Sequence, residues 1–365
     1  MADKIRIGVI GVNFGGLVHI PAFQHVPELE VVAVCATRQE RADQAAKQFN
    51  IPHTFIDYRK MLEMRDLDAV SIVSPGYLHY QMTLDALNAG KHVICEKAFT
   101  ATLKEAQELE SLAGLKGLTG MVAHEFRYTP PRSFMKELVR SGYIGKVRNI
   151  NANLFLSMNR PGMPAPGQPR PWSWADESGR GGGMLYGLGS HFIDGLRDII
   201  GDVAGASGKL YNTSPERTDS AGNKRMSETD DSFTITMEFA NGAWCTMSAS
   251  FGIGFGRNAG IEIYGSDGVL VNRQTGPNPS PEGKVLGAKR GDQDFAELPI
   301  PSHLKPPSPG GDERTYSMVL LAKDFVRGVR EHTSPSPSFT DGVRCMEVID
   351  AIQRSNKEGR WVKIA

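Results

Sequence analysis

The sequence predicts two domains. Residues 1–122 read as an α/β domain with a parallel sheet covered by helices on both faces, and residues 123–365 as an α+β domain around a large, mostly antiparallel open sheet. Three observations carry this expectation. Apolar strands alternate with amphipathic helices from residue 4 to about residue 122, as in a doubly covered parallel sheet. Beyond that point the alternation stops, and runs with apolar residues at every second position take over, as in a sheet with one covered face. At 365 residues the chain is long enough for about two well-buried cores.

Lys4–Ile10 reads as the first strand, followed by a glycine turn and a helix through His19. Glu30–Ala36 is the second strand, and Glu40–Phe49 a helix with Ala42, Ala45, Ala46 and Phe49 at helical spacing. Ala69–Val73 is a strand, Tyr80–Ala89 a helix closed by Gly90, and Lys91–Cys95 another strand. Thr102–Ala113 is a helix with Thr100 or Thr102 as its N-cap.

The first turn contains Gly11, Asn13, Phe14, Gly15 and Gly16. A dinucleotide fingerprint needs glycine where these stand at 11, 13 and 16, because the backbone must approach a pyrophosphate and the helix must pack on the strand. Asn13 tolerates left-handed geometry but brings a side chain. Glycines also serve plain structural turns. Between the first strand and first helix, however, they favour a nucleotide phosphate site and hence a Rossmann domain.

An NAD site would place Asp or Glu after the second strand. The residues there are Cys35, Ala36, Thr37 and Arg38, with Arg41 one turn on. A hydroxyl with two guanidiniums suits a 2′-phosphate, so NADP is expected before NAD. The bland alternative is a pair of solvated arginines at a helix start. Ser74, Pro75, Gly76 and His79 follow the next strand on the same sheet edge, as a simple turn or as a wall of the cofactor site. The strand Lys91–Cys95 ends in Glu96 and Lys97, a charged pair that is costly at a buried strand end unless used. Ligands bind at that edge of open α/β sheets.

In the second domain, Val147–Leu156, Ser232–Phe239, Ala243–Ser250 and Ile261–Tyr264 read as strands, with Asn241-Gly242 a hairpin signal. Asp312–Glu331 and Asp341–Asn356 are closing helices, which can pack back on the first domain. Asn159–Pro171 and Gln274–Gly311 are long loops rich in proline and glycine, of a length usual in lids, interface arms or disordered segments. The run from Gly181 to Arg197 leads into a helix ending at Ile200, on which Tyr186, His191 and Asp194 can share a face. A lone histidine on such a helix is more often a packing residue than a catalyst.

Lys plus Arg and Asp plus Glu both number 41, so net charge is zero, and neither nucleic acid nor an anionic membrane is an expected partner. Cys35, Cys95, Cys245 and Cys345 are scattered, without metal-ligand spacing, so no metal site or disulfide framework is expected and a reducing cytoplasm fits best. No apolar run of about 18 residues is present.

Taken together, several of these residues resemble the glucose-fructose oxidoreductase / inositol dehydrogenase (Gfo/Idh/MocA) family over nearly the whole chain. The carriers are Gly11 to Gly16 with His19, Ser74-Pro75 with His79, Glu96-Lys97, Phe126-Arg127-Tyr128 with Pro130, and Gly181–Asp194. The resemblance implies hydride transfer between NADP or NAD and a secondary alcohol or ketone of a sugar, glycoside or cyclic polyol. Lys97 and His191 take the catalytic positions. Arg127, Tyr186 and Asp194 join them on the substrate side, and Trp174 and Tyr316 lie by family position along the nicotinamide or substrate. It also implies a homodimer or homotetramer formed through the second sheet. Three positions depart from the family pattern: Asn13, Ala98 where proline usually follows the lysine, and Gly187 where aspartate is common. Two other functions known on this fold stand as alternatives, a non-catalytic dinucleotide-binding sensor and a redox-neutral glycosidase that uses NAD.

Overall fold

The computed structural model describes residues 4–157, 170–256, 258–274, 280–305 and 310–364. The chain divides into two compact units, Met1–Tyr128 with Pro307–Met346 and Thr129–Pro306 with Glu347–Ala365.

The first unit holds six parallel strands: β1 (Ile5–Ile10), β2 (Leu29–Cys35), β3 (His53–Phe55), β4 (Ala69–Ile72), β5 (His92–Cys95) and β6 (Gly120–Val122). Their order is β3-β2-β1-β4-β5-β6. The chain moves outward from β1 in one direction and then returns to the other side through β4, which opens a crevice at the carboxyl ends of β1 and β4. Helices α1 (Ile20–Gln24), α2 (Gln39–Phe49), α3 (Tyr58–Leu62), α4 (His79–Asn88) and α5 (Leu103–Lys116) make the crossovers. β3, α3 and β6 were not expected, being too short to show a period. The first helix is also not regular: Gly15–His19 forms a π turn before α1 begins. Of the two candidate caps for α5, Thr102 serves. Its hydroxyl accepts from Glu105 N and its own N donates to the Glu105 carboxylate, a capping box.

The second unit is built on nine strands in the order β17-β16-β15-β14-β7-β13-β12-β9-β18. They are β7 (Val147–Ser157), β9 (Val203–Tyr211), β12 (Ser232–Phe239), β13 (Trp244–Ile253), β14 (Asn258–Gly265), β15 (Gly268–Arg273), β16 (Val285–Lys289), β17 (Ala296–Leu298) and β18 (Val362–Lys363). All neighbours run antiparallel except β7 with β13. β8 (Arg170–Pro171), β10 (Glu216–Thr218) and β11 (Lys224–Met226) form a separate small sheet. In β12 the alternation is literal: Phe233, Ile235, Met237 and Phe239 are buried, Thr234 and Glu238 exposed. The Asn241-Gly242 turn joins β12 to β13, with Gly242 at φ +83°. Helices α6 (Pro130–Arg140) and α7 (Ser190–Ile200) complete this unit, with the buried Arg132 guanidinium 4.5 Å from the Phe192 ring centroid. The proline-rich stretch after Gln274 is less irregular than expected, because β16 and β17 within it extend the large sheet.

The last two helices are α8 (Glu313–Glu331) and α9 (Phe339–Glu358). α8 buries Met318, Leu321, Ala322 and Phe325 in the same core as Val18, Phe23 and Val34 of the first unit. At the start of α9, the half-buried Asp341 forms an ion pair with the buried Arg127 at 3.0 Å. Burial by itself would raise the Asp341 carboxyl, but the Arg127 charge and hydrogen bonds from Ser338 and Arg127 outweigh it and hold the carboxyl well below its usual range. The sign follows directly. A depressed folded-state value stabilises the fold above the ordinary carboxylate range and is lost as pH falls through it. Asp341→Asn should therefore cost about 3 kcal/mol at neutral pH, since it strands a buried guanidinium. Urea denaturation at pH 7 and pH 3 should show that cost shrinking at the lower pH.

Candidate active site

The carboxyl ends of β1, β2 and β4 surround a cleft of about 270 Å³. Gly11 sits at φ +102°, and a Cβ there would lie 2.2 Å from the Val73 carbonyl oxygen, so only glycine fits. Gly15 is tight for a different reason, its absent Cβ pointing at Val9 at 3.0 Å, whereas Gly16 has more room, with Phe49 at 3.6 Å. Asn13 has a definite use. Its Oδ1 accepts from Arg41 Nη2 at 2.5 Å, which ties the cation from α2 to the glycine turn.

Thr37 and Arg41 line the cleft, as do Ser74 and Pro75. Arg38 does not line it. It occupies the N-cap of α2 in extended geometry and is exposed. Ser74 Oγ is buried without a hydrogen-bond partner, an orphaned hydroxyl on the cleft wall. Gly76 opens the turn before α4. Ile56 and Tyr58 also line the cleft, and sequence reasoning missed them because they lie just after the unrecognised β3. A left-handed glycine, apolar walls, one guanidinium and one unsatisfied hydroxyl fit a dinucleotide.

Next to this cleft, β5 delivers its charged end. His19 is fully buried, with Nε2 3.0 Å from Glu96 Oε1 and Nδ1 2.8 Å from Ser71 Oγ on β4. In the neutral ring, Nε2–H donates to the carboxylate and Nδ1 accepts from the serine hydroxyl. The other oxygen of Glu96 accepts from Lys97 N at 3.1 Å. Burial opposes ionisation of Glu96, but the His19 hydrogen bond and the neighbouring Lys97 charge prevail and hold it below its usual range. Lys97 itself is half-buried, and the Lys97–Ala98 peptide bond is cis.

His79 lies behind this group rather than on the cleft. Its ring is buried, with Nδ1 2.9 Å from the Ala98 carbonyl oxygen and Nε2 2.9 Å from that of Ser74, and the neutral ring favoured by burial donates to one of them. Phe14 stacks under Arg314, whose Cζ is 4.7 Å from the ring centroid, and meets the edge of His19 at 5.6 Å. Tyr316, two residues further along α8, is buried. Two further residues escaped the sequence: Arg314, and Glu125 in the turn after β6. Burial, and next the Glu96 charge, push the Glu125 carboxyl up to about 8 against the pull of Lys97 and Arg314. Arg127, expected on the substrate side, pairs with Asp341 and donates to Ser336 Oγ at 2.5 Å.

In the second unit the run before α7 folds as a π turn, Leu185–Gly189. Asp230 anchors it by accepting from Leu185 N at 2.9 Å, and Gly183, at φ +88°, is required because a Cβ would come 2.4 Å from Asp230 Oδ1. Burial pushes the Asp230 carboxyl up to about 6. Tyr186, His191 and Asp194 are all buried, with the Tyr186 hydroxyl 3.4 Å from Gln353 Oε1. A Cβ at Gly187 would meet nothing within 4 Å. Trp174 begins a short 3-10 turn closed by a Ser173–Asp176 capping box and is partly buried. The loop Asn159–Pro171 lies outside the described residues except for Arg170 and Pro171. Among the described residues no cluster of His, Cys, Asp or Glu is placed to hold a metal ion, and no helix is long and apolar enough to cross a membrane.

The oxidoreductase family with an NAD-binding Rossmann fold, Gfo/Idh/MocA, matches residues 5–124, and its C-terminal alpha/beta domain matches residues 136–364. The chain belongs to that family. It is 28% identical to levoglucosan dehydrogenase from Pseudarthrobacter phenanthrenivorans over 395 residues, covering 99% of this chain and 98% of that enzyme. It is 23% identical to the NADP(+) scyllo-inositol 2-dehydrogenase of Bacillus subtilis over 371 residues, covering 99% and 96%. Among solved structures, levoglucosan dehydrogenase in complex with NADH and levoglucosan superposes with a TM-score of 0.88 at 26% identity, covering 99% of this chain and 100% of that one. As a member of this family the chain is an NAD(P)-dependent oxidoreductase, and the cleft beside β1 is where its own residues meet the demands of a dinucleotide. Gly11→Ala should thus abolish saturable dinucleotide binding in a fluorescence titration and lower the melting temperature, as the methyl group meets a backbone carbonyl.

Proposed function

We propose that this protein transfers hydride between NADP, in preference to NAD, and a secondary alcohol or ketone on a sugar or cyclic polyol. The observation that carries the reading is the half-buried Lys97 at the end of β5, next to the dinucleotide cleft and backed by a carboxylate that His19 holds ionised. The nicotinamide, when bound, supplies the hydride acceptor or donor. The chain's own task is to manage the proton, since a carbinol carbon gives up hydride only as its hydroxyl loses H⁺. Lys97 takes that proton on Nζ in oxidation and returns it in reduction. Glu96 fixes the backbone at Lys97, and His79 fixes the carbonyl that follows it. The relatives named for levoglucosan and scyllo-inositol point to cyclic polyhydroxyl substrates. In the second unit we assign His191 to orient the reacting hydroxyl, with Tyr186, Asp194 and Trp174 on the substrate side. Association through the large sheet and a cytoplasmic location belong to the same reading.

Preference for NADP rests on Thr37 and on Arg41, which Asn13 holds at the cleft. A charge-assisted hydrogen bond to phosphate contributes about 1.5–3 kcal/mol, so Arg41→Asp should weaken NADP binding roughly tenfold to a hundredfold and leave NAD nearly unchanged, as read by titration of each. Equal weakening of both would remove the phosphate argument. Lys97→Met should lower kcat roughly 10²- to 10⁴-fold with cofactor Kd within about threefold of wild type. Full turnover by that variant would sink the assignment. Gly187, which offers no carboxylate beside α7, supports a second reading as a dinucleotide-binding sensor. Tight cofactor binding without absorbance change across a broad sugar and polyol panel would favour it.

A further inference from the structure

At one corner of the large sheet a strand outruns its partner. β15 pairs with β16 as far as Val271, opposite Leu286, yet it runs on beside β14 through Asn272 and Arg273, opposite Ile261 and Gly260. Gln274 N continues that side by donating to Ala259 O at 2.8 Å. On the other side the chain reaches β16 through a turn, in which Gly283 N donates to Ser280 O at 3.1 Å. Asn272 Nδ2 bridges the gap by donating to Lys284 O at 2.9 Å. Where the ladder stops there is a cavity of about 350 Å³, lined by Asn272, Gln274, Ser280, Glu282 and Leu286 among others. It shares no lining residue with the dinucleotide cleft.

The cavity wall carries amide atoms with nothing to bind. Gln274 is 7% exposed and Asn272 1%. Both ends of the Gln274 amide, Oε1 and Nε2, are buried without a hydrogen-bond partner, so the choice between its two flips does not matter. Asn272 is oriented by its bond to Lys284 O, and that orientation leaves Oδ1 buried and unpaired. Three such atoms on one wall are costly, and native folds retain buried polar groups where something satisfies them.

We propose that this cavity is a second small-molecule site, taking a neutral polyhydroxyl ligand, a cyclic polyol or monosaccharide. The unpaired atoms are two acceptors and one NH2 donor, and vicinal hydroxyls match them because each hydroxyl both donates and accepts. Charge favours a neutral ligand. The exposed Arg273 and Glu282 are of opposite sign, and Lys284 is paired with Glu297 at 2.7 Å. Leu286 offers apolar surface to C–H groups. No described lining residue is aromatic, so a nucleobase finds no ring to stack on. The volume lies near the lower end of the roughly 300–1,000 Å³ usual for small-molecule pockets. The site stands independently of the hydride-transfer reading.

The test uses the full chain labelled with ¹⁵N in glutamine side chains and titrated by NMR with myo-inositol, glucose and, as a contrast, adenosine. The Gln274 NH2 pair is assigned by its loss in Gln274→Leu and again in Gln274→Met. It should shift saturably with myo-inositol or glucose, and equilibrium dialysis should show Gln274→Leu holding that polyol at least roughly tenfold more weakly at this site. The melting temperature of unliganded Gln274→Leu should equal or exceed that of wild type, because an unpaired buried amide is gone. No shift with either polyol, or a shift with adenosine alone, overturns the proposal. So does undiminished polyol binding by Gln274→Leu, since the shift then originates elsewhere. A Gln274 signal that follows protein concentration and ignores polyol overturns it too, because a second copy of the chain then covers the wall. A melting temperature several degrees lower in Gln274→Leu would show that the amide already has a structural partner, and would overturn it as well.

Discussion

The hydrogen bond between His19 and Glu96 is the interaction on which the first unit's chemistry depends. A carboxylate at the end of a buried strand is unfavourable unless hydrogen bonds and charges compensate for lost water. His19, fully buried and itself satisfied by Ser71, supplies that compensation at 3.0 Å. It spans β1's turn, β4 and β5, so one ring fixes three strand ends. Glu96, kept ionised, then holds the backbone of Lys97. Replacing either partner would leave a buried charge or a buried ring nitrogen unpaired and release the lysine loop.

From that pair outward, the site is assembled by the topology of the sheet. The reversal of strand order around β1 opens the crevice, and Gly11 keeps its floor clear because its Cβ would strike a carbonyl oxygen. Asn13 breaks the usual glycine pattern without closing the cleft, since its side chain turns to Arg41. Phe14 carries Arg314 on one face and meets His19 at its edge, which links α8 to the same turn. α8 comes from the far end of the sequence, yet its apolar face completes this core.

What the sequence made legible follows from where periodicity is strong. Most long strands and helices and the Asn241-Gly242 hairpin were readable because apolar spacing and turn chemistry agree there, although α6 and β9 were not picked out. β3, α3 and β6 were not, each being five residues or fewer, and with β3 went the cleft residues Ile56 and Tyr58. The π turns at Gly15–His19 and Leu185–Gly189 leave no mark in composition. Lys97, Gly11 and Ser74 stood out in the sequence because strand ends are where ligands bind. The pairing of Arg127 with Asp341 was not legible because the two stand more than two hundred residues apart. Glu125 was invisible for the same kind of reason as Arg127: its neighbours come from β5 and α8, and only the folded register reveals them.

The central claim is that Lys97 serves a hydride transfer between a bound nicotinamide and a carbinol carbon. The most direct measurement uses a cyclic polyol or sugar that the protein accepts, carrying deuterium on the reacting carbon, incubated with NADP and read by NMR of the nicotinamide. The account predicts deuterium at one face of nicotinamide C4, in amount equal to the ketone formed. A reduced cofactor without the label, or sugar chemistry with no net reduced cofactor, would contradict it.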